Sequence, residues 1–299
     1  MNKQDDFSYE RVAAIDIGSN AMRLLICGVY NNGAENNVKK VSLTRLPVRL
    51  GQEAFLDGKI GKETCERFLK AMQAYRKILD VYGISKFRAC ATSALREASN
   101  GKDVAQMVKK ETGIGIEIIS GESEAEFIFG GHFRDKSIAD RHFIYVDIGG
   151  GSTEVSILKG KSVRESASFE VGTLRLLNQT VPKKVLREMK AWVEAKSANL
   201  KQVEMVGSGG NVNKIYKLAG VRYPKPMLYR EMKKMRNKLS KLSVEERMLK
   251  YKLNPDRADV IVPAANICHK LMKWSDAGIL HVPKIGLSDG IIIDMLKAK

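Results

Sequence analysis

Nowhere in the sequence do 18 uncharged apolar residues run together, so it encodes no membrane-spanning helix. The opening, MNKQDDFSYERVAAID, is acidic and polar before it turns apolar, the reverse of a secretory signal with its basic head and apolar middle. Cysteine is sparse: Cys27, Cys65, Cys90 and Cys268 stand apart without any CxxC pair, which suggests neither a disulfide framework nor a zinc knuckle. These features predict reduced core thiols and a cytoplasmic protein. The four histidines, His132, His142, His269 and His281, form no HExxH or other ligand spacing, so no histidine-based mechanism is indicated. Zinc fingers, RNP-type aromatic motifs and helix-turn-helix patterns are also lacking, so neither nucleic acid nor membrane is expected as a partner.

What remains is a balance of 44% hydrophobic and 28% charged residues over 299 positions, the composition of a globular chain long enough for two domains. Lysine and arginine number 51 against 34 acids, a net charge of +17 that concentrates polyanions near the surface. Eleven basic and three acidic residues lie between Arg222 and Lys252. Helical spacing in the middle of this stretch is compatible with a solvated helix face or with a track for a phosphate-rich ligand.

Two apolar runs, 11–20 and 22–30, flank a Gly-Ser-Asn turn and read as a β-hairpin with an acid at its bend. A third strand-like run follows at 40–50. Phe68, Met72, Tyr75, Leu79 and Tyr82 then recur at helical spacing. Residues 87–95 read as a buried strand, 102–112 as a helix and 115–120 as a strand. At 142–161 the opening pattern returns, with Asp147 standing 131 residues after Asp16. A helix near 183–200 and a strand at 203–207 opening into GSGGN follow, then mostly helix, with the crossover between halves at 122–141. A chain whose halves begin alike predicts α/β architecture: two similar domains, 1–125 and 126–299, facing each other across an interdomain cleft. A final helix at about 287–299 packs back on the first domain in this scheme.

The glycines of Asp147-Ile148-Gly149-Gly150-Gly151-Ser152-Thr153-Glu154 permit backbone angles closed to other residues and expose amides to a close-approaching anion. Such a loop is a phosphate cradle or a ligand-free glycine hairpin; Gly18-Ser19-Asn20 is its counterpart after Asp16. Gly207-Ser208-Gly209-Gly210-Asn211 places a third glycine turn between a strand and a helix, where anions are favoured. Asp16 and Asp147 beside bound phosphate imply Mg²⁺ held by carboxylate, water and phosphate oxygen, unless each acid only caps its own turn. Thr92-Ser93-Ala94-Leu95-Arg96-Glu97 sets hydroxyls and an arginine suited to clamping phosphate at a strand's carboxyl end, or a surface arginine opening the next helix. Ser120-Gly121-Glu122-Ser123-Glu124-Ala125-Glu126 puts three acids at a helix start, as capping residues or as a source of a general base for a water.

DIGSN, ATSALREASNG, SGESEAEF, DIGGGSTE and VGSGGN, in this order, resemble the exopolyphosphatase and guanosine pentaphosphate phosphohydrolase family of the actin, sugar kinase and heat-shock chaperone superfamily. PVRLGQEAF, FEVGTLRL, RADVIVPA and GLSDGI add to a similarity that runs from about Arg11 to Asp294. The resemblance implies two ribonuclease H-like (actin-like ATPase) domains and release of terminal phosphate from polyphosphate or guanosine pentaphosphate with Mg²⁺, Mn²⁺ being the alternative metal. It implies Glu124 as catalytic base, Arg96 as phosphate clamp and Glu154 as a second catalytic acid. Asp16 and Asp147 become the metal-side acids. Gly18, Ser19, Asn20, Ser93, Gly149, Gly150, Gly151, Ser152, Gly209 and Gly210 become phosphate contacts. Ser123, Asn211 and Ala264 depart from the family's usual acid, threonine and glycine, and the chain stops short of the extra helical domains of long members. Rival readings are an ATP-dependent small-molecule kinase and a non-catalytic polyphosphate or alarmone sensor, and a homodimer is left open.

Overall fold

The computed structural model describes residues 8–31, 36–130, 141–160, 162–200, 202–283 and 286–297. The chain divides into two compact units, Met1–Ser120 with Leu287–Lys299, and Gly121–Gly286.

The first unit is built on β1 (Ser8–Ile17), β2 (Met22–Asn31), β3 (Asn36–Leu46), β4 (Phe87–Ala91) and β5 (Ile116–Ile118). The sheet order is β3-β2-β1-β4-β5, with antiparallel hairpin pairs and then parallel β1–β4 and β4–β5 pairs. Val12 to Ile15 and Leu24 to Ile26 are wholly buried, as expected of central strands covered on both faces. The helix Lys62–Val81 buries Phe68, Ala71, Met72, Tyr75 and Leu79, the face that the sequence periodicity marks. Each large side chain among them contributes about 1.5–3 kcal/mol by leaving water. Asp80 pairs with Arg76 one turn back on the exposed side. The last helix, Leu287–Lys297, belongs to this unit. Its Asp289 lies 2.5 Å from Lys40 of β3, and its Asp294 lies 2.6 Å from Arg88 of β4.

The second unit contains β6 (His142–Ile148), β7 (Thr153–Lys159), β8 (Ser162–Phe169), β9 (Glu204–Ser208), β10 (Met227–Leu228) and β11 (Ile279–His281). Its order, β10-β11-β9-β6-β7-β8, repeats the first sheet's pairing pattern and adds β10 at one edge. β9 and β11 run parallel to β6 and β9 respectively. Ile144, Val146 and Met205 of the sheet pack with Met189 and Val193 of the helix Lys183–Ser197 and with Ala264, Cys268 and Leu271 of the helix Ile261–Trp274.

Several elements differ from the sequence reading, each for a local reason. The run at 87–95 is not one strand: β1 ends at Ile17, whose carbonyl accepts the Thr92 amide, and beyond it β4 has no partner, so Ser93–Glu97 coils into a short helix. β3 covers Asn36–Leu46 rather than 40–50, because Pro47 lacks an amide for the ladder and Arg49 adopts a left-handed φ of 58°. The strands at 227–228 and 279–281 are too short to leave a periodic signal. Of the crossover at 122–141, the helix Gly121–Gly130 is described, and residues 131–140 lie outside the described residues. Among the described residues no helix is long and apolar enough to cross a membrane.

Tyr75 ties helix to sheet. It is wholly buried, its hydroxyl faces the Met22 carbonyl at 3.2 Å and the Thr44 carbonyl at 3.1 Å, and burial pushes the phenol well above its ordinary range. Tyr75→Phe keeps the ring and removes the donor from one buried and one half-buried acceptor, so urea unfolding should show a loss of about 1–2 kcal/mol.

Candidate active site

In the second unit the bend between β6 and β7 is held from behind. The Thr173 amide donates to Gly149 O at 3.0 Å, the Leu174 amide to Gly150 O at 2.9 Å, and Arg175 Nε to Gly151 O at 2.9 Å. In a trans peptide the N–H points opposite to the C=O. With three consecutive carbonyls turned toward residues 173–175, the amides of Gly150, Gly151 and Ser152 are directed to the other side, a geometry that receives an anion. Gly172 makes the close approach: a Cβ there would lie 2.1 Å from Gly150 O. At Gly149 a Cβ would lie 3.1 Å from Ser152 O, which accepts the Gly149 amide.

Beside this bend runs a line of polar residues across four strands. Ser168 of β8 registers with Glu154 of β7, Glu154 with Asp147 of β6, and Asp147 with Ser208 of β9, so all four side chains leave the same face. Glu154 and Asp147 are both buried, at 4% and 8% exposure. Glu154 Oε1 accepts the Ser152 hydroxyl at 2.6 Å and the Ser168 hydroxyl at 3.1 Å. Asp147 Oδ1 lies 3.1 Å from where a Gly209 Cβ would stand, and Gly209, at φ 100°, opens the helix Gly210–Leu218. The third glycine turn is therefore joined to the acid at the first strand's end, with the positive end of a helix beside a carboxylate. Glu124 lies in the first turn of the helix Gly121–Gly130, whose Gly121 would place a Cβ 3.3 Å from Glu154 Cγ. The wholly buried Tyr145 senses the whole group. Its phenol is pushed far above its ordinary range by burial first and then by Asp147, Glu124 and Glu154, against a bond to Ser208 that lowers it.

The first unit repeats this frame with different charges. A Cβ on Gly18 would lie 3.1 Å from Ala21 O, the same relation that Gly149 has to Ser152. The carbonyls of Ser19 and Asn20 accept amides from Gly51 at 2.8 Å and Arg49 at 3.2 Å, which turns the Asn20 and Ala21 amides away. Ser19 Oγ lies 2.8 Å from Ser93 Oγ, so two of the expected phosphate contacts meet. Arg96 Nη1 donates to Ile119 O at 2.8 Å, which fixes the guanidinium at the carboxyl end of β5. In register with Asp16, where the second unit has Glu154, stands Arg23, and its Nη1 is 2.7 Å from Asp16 Oδ2. The row continues to Arg45 on β3 and Cys90 on β4.

Residues 29–299 match the Ppx/GppA phosphatase family. The chain belongs to that family. Exopolyphosphatase 1 of Mycobacterium tuberculosis is 24% identical over 97% of this chain and 89% of its own length. Among solved structures, the Aquifex aeolicus Ppx/GppA family member is 26% identical with a TM-score of 0.75, over 97% of this chain and 99% of that one. An exopolyphosphatase from Cytophaga hutchinsonii superimposes with a TM-score of 0.85 at 24% identity, over 97% and 98% of the two chains. The two-sheet α/β architecture is the actin-like ATPase fold of these Ppx/GppA structures.

Within this Ppx/GppA chain the second unit gathers Asp147, Glu154, Gly149 to Ser152, Gly209, Gly210 and Glu124, and the first gathers Gly18 to Asn20 and Ser93, with Asp16 on the adjoining strand end and Arg96 at the end of β5. Sequence reasoning missed Arg23, Arg49, Tyr145, Ser168, Gly172, Arg175 and the link from Ser208. The repeat offset carries one strand further to pair Arg23 with Glu154, and Arg49, Gly172 and Arg175 sit in quoted motifs whose backing role no spacing reveals. Among the described residues no three His, Cys, Asp or Glu side chains form a metal cage. Gly172→Ala forces its methyl into Gly150 O; overpacking of this kind costs about 1–3 kcal/mol. Calorimetry should show weakened binding of inorganic phosphate by this variant and a lowered melting temperature.

Proposed function

We propose that this Ppx/GppA-family chain is a Mg²⁺-assisted exopolyphosphatase that hydrolyses the terminal phosphoanhydride of inorganic polyphosphate. The observation that carries the reading is the pair of buried carboxylates, Asp147 and Glu154, lying in one row beside three outward-turned amides. The Mycobacterium and Cytophaga relatives are exopolyphosphatases by name, which favours polyphosphate over guanosine pentaphosphate. Four free cysteines, three of them buried, accord with a reducing cytoplasm.

The donor set fits a hard cation: two carboxylates offer the oxygen ligands that suit Mg²⁺, with Mn²⁺ as substitute. Asp147 and Glu154 would hold it, and Asp16, whose charge Arg23 already balances, is set aside as a ligand. When bound, the metal supplies charge neutralisation on the phosphate oxygens. The amides of Gly150, Gly151 and Ser152 bind the terminal phosphate and orient it. Ser152 fixes Glu154 through its hydroxyl, leaving its amide for the ligand. Glu124 accepts a proton from the attacking water and aligns it in line with the bond that breaks. In the first unit, Arg96, Ser93 and the Gly18–Asn20 bend are read as further phosphate contacts.

Part of the basic stretch has a structural role. Arg247 donates to the carbonyls of Leu239, Leu242 and Ala258, and Arg236 bonds Asn237 and His269. Arg222, Lys225, Arg230, Lys233, Lys234, Lys238, Lys241, Lys250 and Lys252 are exposed and left to steer a polyanion, four of them lysines on and just after the helix Tyr229–Ser240.

The reading is tested by phosphate release from short and long polyphosphate, guanosine pentaphosphate and ATP, each with Mg²⁺. Polyphosphate should turn over fastest, and absence of release from all four overturns the proposal. Glu124→Gln should lower kcat by roughly 10²–10⁴-fold while polyphosphate still binds; an unchanged rate removes the base from this position. A second expected outcome concerns steering: KM should rise with salt, and this dependence should flatten when Lys233, Lys234 and Lys238 are changed together to Gln.

A further inference from the structure

Tyr145 stands two residues before Asp147 on β6, so both side chains leave the same face. It is the one polar side chain in the run from Phe143 to Val146, it is wholly buried, and its O–H donates to Ser208 Oγ at 2.7 Å. Ser208, 1% exposed, registers with Asp147 across the β6–β9 pair and directly precedes Gly209, whose missing Cβ leaves space for Asp147 Oδ1. The Tyr145–Ser208 bond thereby ties the end of β9 and its Ser208–Gly209 turn to β6, with Asp147 Oδ1 seated in the space that Gly209 leaves.

We propose that Tyr145 is a positioning residue: by donating to Ser208 it holds the Ser208–Gly209 turn against Asp147 and so keeps that carboxylate in the orientation that receives a divalent cation. This rests on the reading of Asp147 and Glu154 as the cation's holders. A buried phenol that merely satisfied its own hydroxyl would affect stability alone. A phenol that acts through Ser208 makes cation affinity depend on both hydroxyls as one unit. Partners that orient a ligating side chain typically change metal affinity by about 10–100-fold when removed.

The experiment is a double-mutant cycle on the full chain, read by Mn²⁺ binding in electron paramagnetic resonance, with melting temperature measured alongside. Tyr145→Phe and Ser208→Ala should each weaken Mn²⁺ binding roughly tenfold. The double variant should be no weaker than either single one. Saturating Mn²⁺ should restore most of the kcat of Tyr145→Phe, which a loosened core would not allow. Wild-type affinity in Tyr145→Phe, or losses that multiply in the double variant, overturns the proposal while the acid-pair reading stands. Absence of Mn²⁺ binding in the unaltered protein overturns that reading and this inference with it. If Tyr145→Phe does not fold, the Ser208 position decides: Ser208→Thr, which keeps a hydroxyl, should bind as wild type and Ser208→Ala should not, and equal binding by both refutes the role.

Discussion

Two carboxylates held side by side out of water are the constraint around which the second unit is arranged. Asp147 and Glu154 are directly opposite on adjacent strands, and two like charges about 5 Å apart in a medium of effective dielectric 20 repel by about 3 kcal/mol. The surroundings offset this without a basic side chain in the row itself: hydroxyls from Ser152 and Ser168 on Glu154, and a helix start beside Asp147. The Gly149–Ser152 bend takes its shape from behind, through residues 172–175, so its amides are free of that task. Preorganisation of this sort lets a site bind phosphate without rearranging when charge shifts.

The duplication keeps geometry and changes electrostatics. Gly18 and Gly149 serve the same turn, and Gly51 and Gly172 allow the same close backing of a bend. Yet the position after the bend that holds Glu154 in one unit holds Arg23 in the other. One row carries two acids, while Arg45, Arg23, Asp16 and Cys90 carry two bases against one acid, so the two rows differ in the sign of their charge. The frame is thus a backbone property, and the specialisation lies in single side chains at matched registers.

The sequence made much of this legible because the duplicated bends rest on glycine and aspartate, whose backbone and charge roles survive without tertiary context. Amphipathic spacing located the helix through Phe68 and Tyr75 for the same reason. What stayed hidden depends on neighbours distant along the chain. Ser208 is bonded by a residue 63 positions away, Ser19 by one 74 positions away, and Arg23 reads as one more strand residue until the register sets it against Asp16. Strand ends were misplaced where pairing stopped for want of a partner, as at Ala91, or where a proline ended the ladder, as at Leu46.

The final helix has a consequence for how the molecule is made. Leu287–Lys297 joins the first unit through Asp289 to Lys40 and through Asp294 to Arg88. During synthesis the first unit's sheet leaves the ribosome before the second unit, but the helix that joins it is translated after every residue of that second unit. The first unit therefore lacks one of its own elements for well over a hundred codons, and its cooperative completion depends on chain that lies beyond the whole of its neighbour.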